Sequence, residues 1–304
     1  MTGPYRCSDG ALQRGDPLLA TAAPIRRWLL IEEPGSWGAE GLTTSPIDRQ
    51  VAGRLAEKAR AASVRVQLIQ RPGPRRRRAT APAAIRRGAR RAYALVAGDP
   101  GAERTWWGSV TSDQELLDVP LDDPGYPPDP GPVYLVCTHG RKDVCCALRG
   151  RPIAHALAAH RPEATWETSH VGGDRFAGNL VVLPHGLYYG RITADTALRA
   201  ATAYEERRVL PHYLRGRSTH HPPAQAAECH ARLELSESRL DTLAPRQVVR
   251  QTPDQWRITL GWDASTVVVT VRAVMSPLPA QLTCGNVHPS HYRTFDLVGL
   301  RVAH

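Results

Sequence analysis

The sequence predicts an α/β protein with a small α+β appendage at its C-terminal end. Three observations carry this reading. Segments 27–69 and 133–169 each read as strand, helix, strand. A stretch rich in proline, glycine and aspartate, 119–132, separates them. Beyond residue 218 the pattern changes to one helix followed by short alternating strands.

The elements follow in order. Residues 27–32 (RWLLIE) hold four consecutive apolar residues and are predicted as a buried strand. Ser45, Pro46 and Asp48 make a helix start: serine caps, proline suits the first turn, and the acid lies where a capping box wants it. That helix runs to about Ala62, with Ile47, Val51 and Leu55 on one face. Residues 64–69, 92–96 and 106–110 are strands. The 119–132 stretch suits neither a helix nor a central strand and marks a domain boundary. The expected division is therefore a domain over 1–118, a linker over 119–132, a second domain over 133–217 and an appendage over 218–304. In the second domain, strand 133–137 ends on Cys137, and a helix runs from Cys146 to His160 despite Pro152. Strand 165–169 leads into loop 170–178 (HVGGDRFAG). Strands 179–183 and 187–192 form a hairpin around Pro184 and Gly186, before a helix over 194–208. In the tail, a helix covers 224–235, and strands 256–260 and 266–274 meet at a turn over 261–264. No repeat of fixed period is visible, although the two α/β halves could share a fold without sequence similarity.

The 304 residues are 42% hydrophobic, enough for two cores. No run of 18 apolar residues occurs, so no membrane span is expected. Residues 1–9 lack the apolar stretch of a secretory signal, which makes a cytoplasmic protein the expectation. The formal charge of +10 is local: nine arginines fall between Arg71 and Arg91 with no acid among them. That segment reads as a solvated surface or as a docking patch for an acidic protein or a nucleotide cofactor. No aromatic residue is interleaved with its charges, which disfavours nucleic acid.

Three of the six cysteines lie within ten residues, in CTHGRKDVCC. Clustered cysteines in a reducing compartment point first to a metal or a catalytic site. Cys137 ends a strand and Cys146 opens a helix, whose N-terminus favours a thiolate. His170 leaves another strand within a loop where Gly172 and Gly173 allow positive φ. Two thiolates and an imidazole suit zinc or an iron–sulfur cluster. The long intervening loop, with Arg141, Lys142 and Asp143, gives a cluster the edge over one ion. Other candidates read as structural. Cys7, Cys229 and Cys284 are isolated and inert, and a vicinal Cys145–Cys146 disulfide is strained. His220, His221 and His230 belong to a polar linker. Trp106, Trp107, Tyr188 and Tyr189 are packing residues.

The segments CTHGRKDVCCALRGRP and WETSHVGGDRFAGNLVVLPHGLYYGRI resemble the sucrase/ferredoxin-like family of thioredoxin-fold [2Fe–2S] proteins. The likeness extends from Trp28 to Arg217 and includes GSWG (35–38) and YLRGRS (213–218). It implies two thioredoxin-like domains in tandem, the second holding the cluster. By the same resemblance, Cys137 and Cys146 are the thiolate pair and His170 opens a His-x₃-His motif. Its second position here is Asp174, a departure from the family pattern. Asp174 is the expected fourth ligand, with Cys145 as the alternative and His139 as a more remote one. Histidine on one iron raises the potential, and aspartate in place of a second histidine lowers it again. Arg141, Arg175 and Asn179 are the expected cofactor-binding neighbours, and Asp143 either caps the helix or pairs with Arg141. Nothing resembles the paired carboxylates of a glycosidase, and no catalytic residue is assigned. The expected function is one-electron transfer or redox sensing, with a redox partner protein docking at the arginine-rich segment. A zinc-stabilised interaction module, or a scaffold that has lost its cluster, are the alternatives.

Overall fold

The computed structural model describes residues 4–73 and 90–303. It is mixed α/β, with two compact units, neither contiguous in sequence. The first comprises Ile25–Val171 and Leu180–Gly186; the second comprises Met1–Pro24, Gly172–Asn179 and Leu187–His304.

In the first unit, β1 (Arg27–Glu32) and β2 (Val64–Gln70) are parallel and joined through α2 (Arg49–Ala61). Strand β1 has four consecutive buried residues, as expected of a central strand covered on both faces. Helix α2 turns Val51, Leu55 and Ala59 toward the core that contains Leu29, Ile31 and Leu68. Its cap is Asp48, whose carboxylate accepts from the backbone N–H groups of Gln50 and Val51. Ser45, the expected cap, instead donates its hydroxyl to the Leu42 carbonyl. Strand β3 (Arg91–Ala97) runs antiparallel to β1, and β4 (Arg104–Val110) antiparallel to β3.

The same plan recurs downstream. Strands β5 (Val133–Cys137) and β6 (Thr165–Thr168) are parallel and joined through α3 (Val144–His160), and β7 (Leu180–Leu183) lies antiparallel to β5. The halves join where β2 meets β6 antiparallel, at Ile69–Thr168 and Gln70–Glu167, giving the order β4-β3-β1-β2-β6-β5-β7. Trp107 stacks on Trp166 at 5.5 Å between ring centroids, a packing role as expected. Residues 74–89, most of the arginine-rich segment, lie outside the described residues. Its described ends are engaged: Arg71 sits 3.6 Å over the Trp166 ring, and buried Arg91 is ion-paired with Glu33 and Asp113.

The second unit contains α1 (Cys7–Gln13), the antiparallel pair β8 (Leu187–Tyr189) and β9 (Leu214–Arg217), α4 (Ala194–Glu205) and α5 (Pro222–Glu234). It also holds an antiparallel sheet of β10 (Ala244–Arg250), β11 (Gln255–Trp262), β12 (Ser265–Met275) and β13 (Arg293–Ala303) in sequential order. Ala226, Ala227 and Ala231 of α5 pack on Ile258, Leu260, Val267, Val269 and Val271. These sheet residues alternate along their strands, so one face is buried and the other open. Helix α4 ends earlier than its sequence suggests because Arg207 adopts φ +54°.

Residues 220–230 do not form a polar linker. His220 is buried and hydrogen-bonded to Glu228 at 3.0 Å, Glu228 is ion-paired with Arg232 at 3.0 Å, and His230 meets the Phe295 carbonyl at 3.0 Å. Nor are Cys7 and Cys284 isolated: their sulfurs are 3.5 Å apart, and the Cys7 N–H points at Cys284 Sγ at 3.4 Å. Burial pushes the Cys229 thiol up to about 12, in keeping with an inert core thiol.

Candidate metal centre

Cys137 is the last residue of β5, and loop 138–143 turns the chain into α3. Buried Asp143 caps that helix by accepting the Cys145 N–H at 2.8 Å. The cap places Cys146 in the first turn, where unpaired backbone N–H groups and the helix dipole favour negative charge. One turn further, Gly150 meets the end of β5. A Cβ on Gly150 would stand 2.0 Å from the Cys137 carbonyl oxygen, so only glycine lets helix and strand approach this closely. From the other side, His170 follows β6. Cys137 Sγ, Cys146 Sγ and a His170 ring nitrogen thereby lie within 4.8 Å of one another.

Both cysteines are buried and His170 is partly so. A hydrogen bond from Cys146 holds the Cys137 thiol well below the usual cysteine range; burial opposes this, and the His170 side chain and the His139 backbone N–H assist it. The donor set suits a thiophilic metal. Ligands on a tetrahedral ion with bonds of about 2.0–2.3 Å stand roughly 3.5 Å apart, inside the 4.8 Å within which these donors lie.

His170 is held by groups outside the ligand set. Its N–H donates to His139 Nδ1 at 3.1 Å, while His139 Nε2 donates to the Gly38 carbonyl at 2.6 Å. These two bonds specify the ring protonated at Nε2 and occupy both nitrogens, so His139 is a support and not a replacement ligand. Trp37 packs edge-on to that ring at 5.9 Å. Gln67 Nε2 donates to the Ser169 carbonyl at 2.9 Å and to the His170 carbonyl at 3.3 Å. Gln67 and Gly150 were not among the expected site residues. Gln67 had a signal: it is a lone amide inside an apolar strand, where a buried polar group needs partners.

The remaining expected residues are placed as follows. Neither Cys145 nor Asp174 is among the three converging donors. Cys145 is buried beside Cys146. Asp174 is buried at the start of a short 3₁₀ turn, Asp174–Phe176, in the second unit. Arg175 is ion-paired with Asp16 at 3.3 Å and lies over the rings of Phe176 and Tyr292. Asn179 orders its loop, donating to the Gly173 carbonyl at 3.0 Å and accepting from Arg215 Nη1 at 2.8 Å. Gly172 and Gly173 do adopt positive φ, and a Cβ on Gly173 would strike the buried Arg215 guanidinium. Arg141 is exposed and forms no pair with Asp143.

Among the described residues, no helix is long and apolar enough to cross a membrane. No curated protein and no solved structure matches the chain. A family model described as Sucrase/ferredoxin-like matches residues 18–216, well over half of the sequence and inclusive of all three converging donors. The chain therefore belongs to the Sucrase/ferredoxin-like family.

Proposed function

We propose that Cys137, Cys146 and His170 hold a [2Fe–2S] cluster and that the protein works as a one-electron carrier or redox sensor. The observation that carries this is the convergence of two buried thiols and one imidazole within 4.8 Å in a member of a ferredoxin-like family. The recurring strand–helix–strand–strand plan supports the reading of each half as thioredoxin-like. When bound, such a cluster accepts and returns one electron, with histidine ligation raising its potential. The chain's own part is positional. Asp143 fixes the helix start that carries Cys146, and Gly150 seats that helix on Cys137. His139 and Gln67 hold the His170 backbone from its N–H and C=O sides. The family pattern offers Asp174 as fourth ligand and Cys145 as the alternative. A redox partner docking at the arginine-rich segment remains part of the proposal.

A second reading is a structural zinc site, favoured because two thiolates and an imidazole are a competent donor set for one tetrahedral zinc ion. Visible spectroscopy of anaerobically purified protein separates the two. Red-brown protein whose absorption bleaches on dithionite supports the cluster. Colourless protein carrying one zinc per chain supports the ion.

A further inference from the structure

Beside the candidate centre, within the first unit, lies a cavity of about 780 Å³. That volume is in the range of small-molecule sites. Residues 138–141 of the loop between Cys137 and Cys146 form one wall. Trp37 and Leu148 supply apolar surface, and Leu148 is 54% exposed although it lines a concavity.

The cavity carries charges of both signs, from Glu167, Arg141 and Arg151. Glu167 is 7% exposed and so lies deep. Its Oε2 accepts from Gln70 Nε2 at 2.6 Å and from Thr138 Oγ1 at 3.3 Å, both neutral donors. Its Oε1 accepts no hydrogen bond and meets no cation among the described residues. Oε1 is not sealed from solvent, so a cation bound in the cavity would pair with it. Arg141 lines the same cavity but is exposed, hence at its rim, and forms no ion pair among the described residues.

We propose that this cavity binds a small organic molecule with an ammonium head seated on Glu167, an apolar body against Trp37 and Leu148, and an acidic group at Arg141. An electron carrier needs no such chamber, so the site adds a ligand to the function proposed above. The bound molecule would lie against His139, the residue that holds the His170 backbone. The proposal rests on the cavity and not on the metal centre, and the two fail separately: metal content tests one, ligand heat the other.

The test is isothermal titration calorimetry of the full chain with three probes: 4-(aminomethyl)benzoate, 4-methylbenzylamine and 4-methylbenzoate. The first carries both charged groups across an aromatic ring; each of the others lacks one. The first should bind about tenfold or more tighter than either truncated probe. Glu167→Gln should weaken the two amine probes about tenfold and leave 4-methylbenzoate unchanged. Arg141→Gln should weaken the two carboxylate probes and leave 4-methylbenzylamine unchanged. Thermal melts matching the parent establish that both variants fold, and Arg141, being exposed, provides a variant that leaves the core untouched. No heat from any probe up to about 10 mM, equal affinity for all three, or unchanged affinities in both variants overturns the proposal.

Discussion

Gly150 lies against the carbonyl of Cys137 so closely that a single added methyl would sit 2.0 Å from that oxygen. The contact joins helix α3 to strand β5 one turn below Cys146 and sets how near the two thiols come. Gly150→Ala must therefore push the helix off the strand. It should lose most bound metal while adding helix propensity of only about 1 kcal/mol, too little to offset the clash. Metal content per folded chain, measured beside circular dichroism, checks this; full metal retention would show that the packing is not what positions Cys146.

The buried Glu228 network should contribute to the acid sensitivity of the second unit. Burial alone would raise this carboxyl, but Arg232 and His220 outweigh it and hold Glu228 at about 2. A carboxyl with a lowered folded-state pKa contributes stability above its unfolded value near 4.5, and that contribution disappears as pH falls toward 2. Glu228→Gln should cost about 3–5 kcal/mol at neutral pH, because it strands the Arg232 charge, and should flatten the loss of stability between about pH 4.5 and 2. Urea unfolding across that window provides the measurement, and an unchanged slope contradicts the assignment.

Thiol reactivity should separate the cysteines. With its thiol held at about 12, Cys229 is only about one part in ten thousand thiolate at pH 8. Iodoacetamide applied to native protein should spare Cys229 and label the half-buried Cys284 first. Peptide mass mapping after timed quenching reads the order; early labelling of Cys229 would mean that its burial is not maintained in solution.

Much of this was written into local patterns. Strands β1 and β5 were legible to the residue because continuous apolar runs end at polar or turn-forming neighbours. The helix after the cysteine loop was legible despite Pro152, and Cys137, Cys146 and His170 were identifiable from cysteine spacing and family likeness. Other features have no local signature. Strand β10 (APRQVVR) is an edge strand with hardly a buried residue, so it shows no apolar alternation. The pairing of Cys7 with Cys284 spans 277 positions and is made by the fold alone. The same holds for the interleaving of the two units, in which residues 172–179 and 187–304 group together while 180–186 do not. Gln67 and Gly150 support the site through contacts with residues far away in sequence, and neither belongs to a recognisable motif.

The fourth ligand separates by substitution. Asp174→Ala should alter the electron paramagnetic resonance spectrum of the dithionite-reduced protein, and Cys145→Ser should leave it unchanged. The reverse pattern would transfer the role to Cys145. Asp174→His should raise the midpoint potential, since it removes one negative charge from the ligand set.

Iron and acid-labile sulfide, counted per chain after anaerobic purification, test the central claim most directly. The account predicts about two of each in the native protein and neither in Cys137→Ser or Cys146→Ser. Native protein with zinc but no sulfide, or serine variants that keep their iron, would contradict it.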